Sequence, residues 1–197
     1  MAVDEDQLSA TAAKAAQALR AAGVPFALGG GCAVYAHGGP VSEHDVDIFL
    51  AERDVVPARH ALVEAGMRAA DAPHDWLAKA YDGPCLVDLI HRPNRRPVTD
   101  ELLNRAVPRR LGDTVVPVLP ATDVVIDKIL VLNPERCDFT PLLPILAALR
   151  EQVDWAAVRT ATEHSPYARA LLWLAAETGL VPEAATLAPT VGAQRGE

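Results

Sequence analysis

Three aspartates are the residues of this chain best suited to chemistry. Asp45 and Asp47 lie two positions apart, and Asp88 is set in the apolar run Cys85-Leu86-Val87-Asp88-Leu89-Ile90. Side chains alternate along an extended strand, so Asp45 and Asp47 share one face while Val46, Ile48 and Leu50 share the other. Two carboxylates so placed converge on a hard cation such as Mg²⁺ or Mn²⁺, which prefers oxygen ligands. A third carboxylate on a neighbouring strand can hold a second ion and take the proton of a hydroxyl nucleophile. Two ions about 3.5–4 Å apart stabilise the entering and leaving oxygens of an in-line phosphoryl displacement. An Asp-x-Asp pair also occurs as plain solvated charge at strand ends, and Asp88 on an edge strand would face water. The order and spacing of the parts therefore carry the argument. Asp88 on a buried face requires a partner or a cation to offset its desolvation.

The elements that must position these acids are legible in the spacing of apolar residues. Leu8, Ala12, Ala15, Leu19 and Ala22 predict a helix over 5–22 stopped by Gly23. A short strand follows at Val24–Leu28, then a Gly29-Gly30-Gly31 turn, then a short helix from Cys32 to His37. Glycines at such a turn allow positive φ and close approach of backbone to phosphate, with helix amides behind them. Asp45–Leu50 reads as a strand, and Asp54 as the cap of a helix running to Ala65. Trp76–Tyr81 and Cys85–His91 flank Asp82-Gly83-Pro84 and predict a hairpin that sets Lys79 opposite Asp88. Thr99 caps a helix to Ala106, and Thr114–Val118 is a further strand.

After Pro120 the pattern becomes helical. The segments 122–132, 142–150, 154–160 and 165–177 are expected as helices, with Asp154 and Ser165 as N-caps, Pro166 in the first position and Gly179 at the end. The expected class is α+β: a mixed sheet flanked by helices over 1–119, a helical lobe over 120–182 and a flexible tail over 183–197.

The chain has 197 residues, half of them apolar, which suffices for one core. Met1 to Asp6 is acidic and no apolar leader follows, and the longest apolar stretch is interrupted by Pro144, so a cytoplasmic protein without a membrane span is expected. Cys32, Cys85 and Cys137 are too widely spaced for a CxxC metal site and are expected as free thiols. None of the six histidines shows metal-ligand spacing; His44 and His91 are candidates only for flanking the acids. Trp76, Trp155 and Trp173 fall at apolar positions and are expected in the core. The net charge of −8 argues against a general nucleic-acid binder. Within it lies a basic island, Arg92, Arg95, Arg96, Arg105, Arg109 and Arg110, read equally as an anion-binding patch or as a solvated loop and helix face.

Three motifs together, Phe26-Ala27-Leu28-Gly29-Gly30-Gly31-Cys32-Ala33, His44-Asp45-Val46-Asp47-Ile48 and Val87-Asp88-Leu89-Ile90, resemble the motif series of the DNA polymerase β-like nucleotidyltransferase superfamily. That group includes minimal nucleotidyltransferases, aminoglycoside nucleotidyltransferases and the AbiEii-like and MenT-like toxins. The resemblance spans roughly 20–132 and implies a nucleotidyltransferase-type fold. It implies metal-dependent transfer of a nucleoside monophosphate from an NTP, ATP among the candidates, to an acceptor hydroxyl with release of pyrophosphate. It makes Asp45, Asp47 and Asp88 the catalytic and metal-binding acids, with Asp88 as base. Gly30 and Gly31 would cradle the triphosphate, and Lys128 would bind phosphate. Where many relatives carry Ser or Thr beside the glycine pair, this chain has Gly31 and Cys32; Ser42 stands in for that hydroxyl, one residue further from Asp45 than the pattern expects. Asp138 resembles an acidic position in the helical lobe of some relatives. The acceptor is left open between an RNA end such as tRNA, a protein and a small molecule, and a cognate antitoxin is a possible partner. The alternative is an inactive module that keeps the fold to bind nucleotide or protein. Oligomeric state, base preference and acceptor do not follow from these residues.

Overall fold

The computed structural model describes residues 5–41 and 45–186. Helix α1 (Glu5–Ala21) buries Leu8, Ala12, Ala15, Ala16 and Leu19, and its small residues let it lie close to the sheet. It ends at Gly23, which turns the chain with φ +68. Strand β1 covers only Ala27–Leu28. The expected strand from Val24 is shorter because the Val24 amide still donates back to Leu19 (3.0 Å) and Pro25 has no amide to give.

Helix α2 (Gly30–Ala36) begins inside the glycine triplet, with Gly29 as its N-cap. After β2 (Asp45–Phe49) comes α3 (Val55–Glu64), which Asp54 precedes without capping it through its side chain. Strand β3 (Arg68–Ala70) is too short to leave a sequence pattern. The hairpin of β4 (Leu77–Asp82) and β5 (Cys85–Ile90) forms as expected around Gly83, whose φ of +58 the tight turn requires.

Thr99 caps α4 (Asp100–Asn104) by accepting from the Leu102 amide at 3.2 Å. Two of the six arginines of the basic island, Arg109 and Arg110, then fall in a strand, β6 (Val107–Leu111), paired with β7 (Thr114–Val118). As the outermost strand, β6 tolerates Pro108. Four helices follow: α5 (Ala121–Leu130), α6 (Leu143–Leu149), α7 (Trp155–Thr162) and α8 (Pro166–Glu177). Asp154 and Ser165 cap the last two, accepting from Ala157 and Ala168 amides at 3.0 and 3.2 Å. Glu183–Ala185 forms a 3-10 turn, and Ala185 is buried against α7 and α8, so this end of the described chain is packed. The remainder of the expected tail, 187–197, lies outside the described residues.

The seven strands run in the order β3-β4-β5-β2-β1-β7-β6. The β2–β5 and β1–β7 pairs are parallel and the others antiparallel. One hydrophobic cluster runs from Leu8 to Ala185 and joins the sheet to the later helices through α5, which packs on α2 and α7. Trp155 is buried, but Trp173 departs from the expected core position: it is 60% exposed on the outer side of α8. Apolar spacing along a helix does not tell which apolar residue marks the edge of the buried stripe.

An ion pair with one buried partner secures α5 to the segment after α4. Arg105 reaches both oxygens of Asp123, at 2.9 and 3.0 Å, and Asp123 is 6% exposed. Arg105→Ala leaves that carboxylate unpaired in the interior and is expected to cost about 2 kcal/mol, since Arg105 itself is half in water. Urea denaturation with an unchanged m-value checks it.

Candidate active site

Register decides which side chains meet. In the parallel β2–β5 pair Asp47 stands opposite Asp88, and in the β4–β5 hairpin Asp88 stands opposite Lys79. Directly paired residues point to the same side of a sheet, so Lys79, Asp88 and Asp47 form one row and Asp45 sits one step along β2 on the same face. Ligand atoms of Asp45, Asp47 and Asp88 all lie within 4.8 Å of one another. Lys79 Nζ donates to both oxygens of Asp88, at 2.8 and 3.0 Å.

The glycine turn is built against this row. The Gly29 amide donates to the Asp47 carbonyl at 2.9 Å, tying the turn to β2. Gly30 has φ +52, and a Cβ there would lie 1.6 Å from Asp47 Oδ2. Gly30 is thus required twice, by its backbone conformation and by the carboxylate packed against it. The Gly31 amide donates to Asp47. Cys32 is buried, with its Sγ on the Asp45 carbonyl at 3.6 Å. Burial, then Asp47 and Asp45, push its thiol up to about 12, so it is an inert packing residue at neutral pH.

Burial raises the Asp47 carboxyl to about 7, with Asp45 adding to the effect; Lys128 on α5 is near enough to oppose it. Burial also raises Asp88, against the stabilising bond from Lys79. Two adjacent carboxyls, Asp47 and Asp88, that resist ionisation without a cation match an oxygen-ligand site for a divalent ion. The sign of the pH dependence follows. Asp47 has a folded pKa above 3.8, so its contribution to the stability of the metal-free protein is full below about pH 4 and is lost as pH rises through about 7. Metal-free protein is expected to melt lower at pH 8 than at pH 6, and Mg²⁺ to reverse that order; scanning calorimetry with and without chelator measures it.

Ser42 and His44 lie outside the described residues. His91 is buried at the end of β5, and its Nδ1 has no hydrogen-bond partner among the described residues. The Asp138 carboxylate accepts from the Thr140 amide at 2.9 Å, which holds its pKa below the usual range. The basic island is largely neutralised. Arg92 pairs with Asp75 (2.6 Å), Arg96 with Asp127 (3.8 Å), Arg105 with Asp123 and Arg110 with Asp113 (3.5 Å), while Arg109 donates to His37 Nδ1 (3.4 Å). Four of its six arginines thus stand beside a carboxylate, which weakens the positive field that their number alone would give.

Two features of this face escaped the sequence. Asn94 and Arg95, at φ +50 and +62, turn the loop after β5 so that Asn94 Nδ2 reaches the Asp127 carbonyl on α5 at 3.1 Å. Burial raises Asp127 to about 6. Arg68 lies over the ring of Tyr81, with its Cζ 4.9 Å from the centroid. No motif signals either one; both depend on strand register or loop geometry.

Residues 9–168 match the model of the family described as nucleotidyl transferase of unknown function (DUF2204). The chain belongs to this nucleotidyltransferase family. Its fold is similar to that of ANT(2″)-Ia crystallised in complex with adenylyl-2″-tobramycin, at TM-score 0.57 and 15% identity over 77% of this chain and 94% of that one. It is also similar to an antigenic nucleotidyltransferase-like protein from Paracoccidioides brasiliensis, at TM-score 0.56 and 15% identity over 90% and 91% of the two chains. At that identity the likeness carries the fold. No curated protein sequence matches this nucleotidyltransferase. Among its described residues no helix is long and apolar enough to cross a membrane.

Proposed function

We propose that this nucleotidyltransferase moves a nucleoside monophosphate from a metal-bound NTP to an acceptor hydroxyl. The observation that carries the reading is the convergence of Asp45, Asp47 and Asp88 within 4.8 Å on one sheet face, beside a glycine turn. Asp45 and Asp47 would hold divalent metal, Mg²⁺ or Mn²⁺, with Asp88 as the third ligand. When bound, such an ion supplies Lewis-acid charge at the phosphates. The family supports nucleotidyl transfer as the reaction class, and the adenylylated product in the ANT(2″)-Ia crystal supports ATP as donor.

The chain's own residues then have defined tasks. Gly30 and Gly31 leave backbone room for the triphosphate. Ser42, just before β2, would offer its hydroxyl there. Lys128 adds positive charge from α5, within the helical segment 120–182. Asp88, steered by Lys79, receives the acceptor's proton. The acceptor oxygen forms a bond to the α-phosphorus while the α–β bridging P–O bond breaks, and pyrophosphate leaves with the electron pair.

The test is thermal denaturation with each of the four NTPs, with and without Mg²⁺, on wild type and on the Asp45→Asn/Asp47→Asn double variant. A metal-dependent rise with one NTP, lost in the double variant, is the expected result and identifies the donor. A flat response to all four sinks the reading and leaves a module that keeps the fold without binding nucleotide.

A further inference from the structure

Beside the acids, the sheet carries a second set of side chains that the donor reaction does not use. Arg68, Tyr81, Leu86 and Asp45 are paired in succession across β3, β4, β5 and β2, so all four point to the face that bears the acid cluster. Tyr81 is two strands from Asp45, roughly 10 Å at ordinary strand spacing. The helices that pack on β3–β5 are α1 and α3. They cover the opposite face: Thr11 and Lys14 of α1 reach Asp82, which alternates away from Tyr81. The helices with the main contacts on β3–β5 thus leave Tyr81 and Arg68 on the other face. Tyr81 and Leu86 are half-buried and Arg68 is exposed. Arg68 makes no ion pair among the described residues; its guanidinium rests on the Tyr81 ring. Asp88 is the one carboxylate that β3–β5 present on this face, and Lys79 already holds it.

We infer that this Arg68–Tyr81 platform receives the acceptor, and that the acceptor is a nucleotide unit with a free hydroxyl, its base stacked on the platform and its phosphate met by Arg68. This rests on the transfer reaction proposed above. A flat ring next to an anion fits an aromatic residue topped by an unpaired guanidinium, a surface on which bases stack. A polycationic amino sugar would meet Arg68 and Lys79 with no acid to spare for it, since Asp45, Asp47 and Asp88 are committed to the metal. The same chemistry is offered by a free nucleoside monophosphate and by the end of an RNA strand.

The experiment reads binding without chemistry, so it stands apart from the donor reading. Fluorescence anisotropy follows a short 5′-labelled single-stranded RNA with a free 3′-hydroxyl on the full chain, in chelator and without NTP. Unlabelled nucleoside monophosphates and tobramycin serve as competitors. Saturable binding is expected, weakened roughly tenfold or more in Tyr81→Ala and Arg68→Ala and kept in Tyr81→Phe. All three variants should retain the wild-type melting shift with NTP and Mg²⁺; loss of that shift in wild type would indict the donor reading instead. Competition by monophosphates at the concentration that binds RNA assigns a mononucleotide acceptor, and much weaker competition assigns a strand end. Absence of binding by both RNA and monophosphates overturns the inference, as does binding unaffected by Tyr81→Ala. Adenylylation of tobramycin but of no nucleotide or RNA overturns it as well.

Discussion

Asp47→Asn is expected to abolish nucleotidyl transfer, by roughly a thousandfold or more, while raising the melting temperature of the metal-free protein. The two effects share one cause. Asp47 is half-buried beside Asp45 and Asp88, and its carboxyl is pushed from 3.8 to about 7. At pH 8 the ion forms against that resistance. Removing that charge is expected to return about 1–3 kcal/mol of stability at pH 8. Asparagine keeps an oxygen for the Gly31 amide and removes the charge. At about 2–4 °C per kcal/mol in a chain of this size, a rise of several degrees follows. Calorimetry in chelator at pH 8, paired with the Mg²⁺·NTP shift, measures both halves. A variant less stable than wild type in chelator would show that the carboxylate is not under the electrostatic load described.

Gly30→Ala is expected to lose both stability and activity. The residue holds φ +52, which costs an L side chain about 1–2 kcal/mol, and its Cβ would be driven into Asp47 Oδ2 at 1.6 Å. Relieving the clash moves either Asp47 out of the row of acids or the start of α2 away from β2. We expect a loss of about 2–4 kcal/mol and roughly a hundredfold or greater drop in turnover. Gly23→Ala is the control. It has φ +68 but nothing within 4 Å of a Cβ, so it should lose about 1 kcal/mol and no activity. Equal behaviour of the two variants in kinetics would remove the contact with Asp47 from the account.

Much of the fold was legible along the chain because it is decided locally. Helix α5 follows from its apolar spacing, α7 and α8 from apolar spacing and caps, and the β4–β5 hairpin from the Asp82-Gly83-Pro84 turn. Three elements were not. Strand β3 has three residues and no alternation to detect. Strand β6 was hidden by Pro108 and its arginines, which only an edge position accommodates. The glycine triplet read as a turn before the helix, whereas Gly30 and Gly31 are its first residues, because helix starts depend on what the first turn packs against.

The sequence by itself determined that Asp45 and Asp47 share a face, that Asp88 interrupts an apolar strand, and that Lys79 stands across the hairpin from it. These are matters of two-residue alternation and a tight turn, which operate over a few residues. Tertiary structure decided the rest: that Asp47 pairs with Asp88 across a parallel ladder, that Gly30 lies under Asp47, and that most of the basic island is answered by carboxylates. It also decided that Arg68 covers Tyr81 on the open side of the sheet. Strand order and register are set by burial of the whole core, and an ion pair such as Arg96–Asp127 joins segments that only that burial brings together.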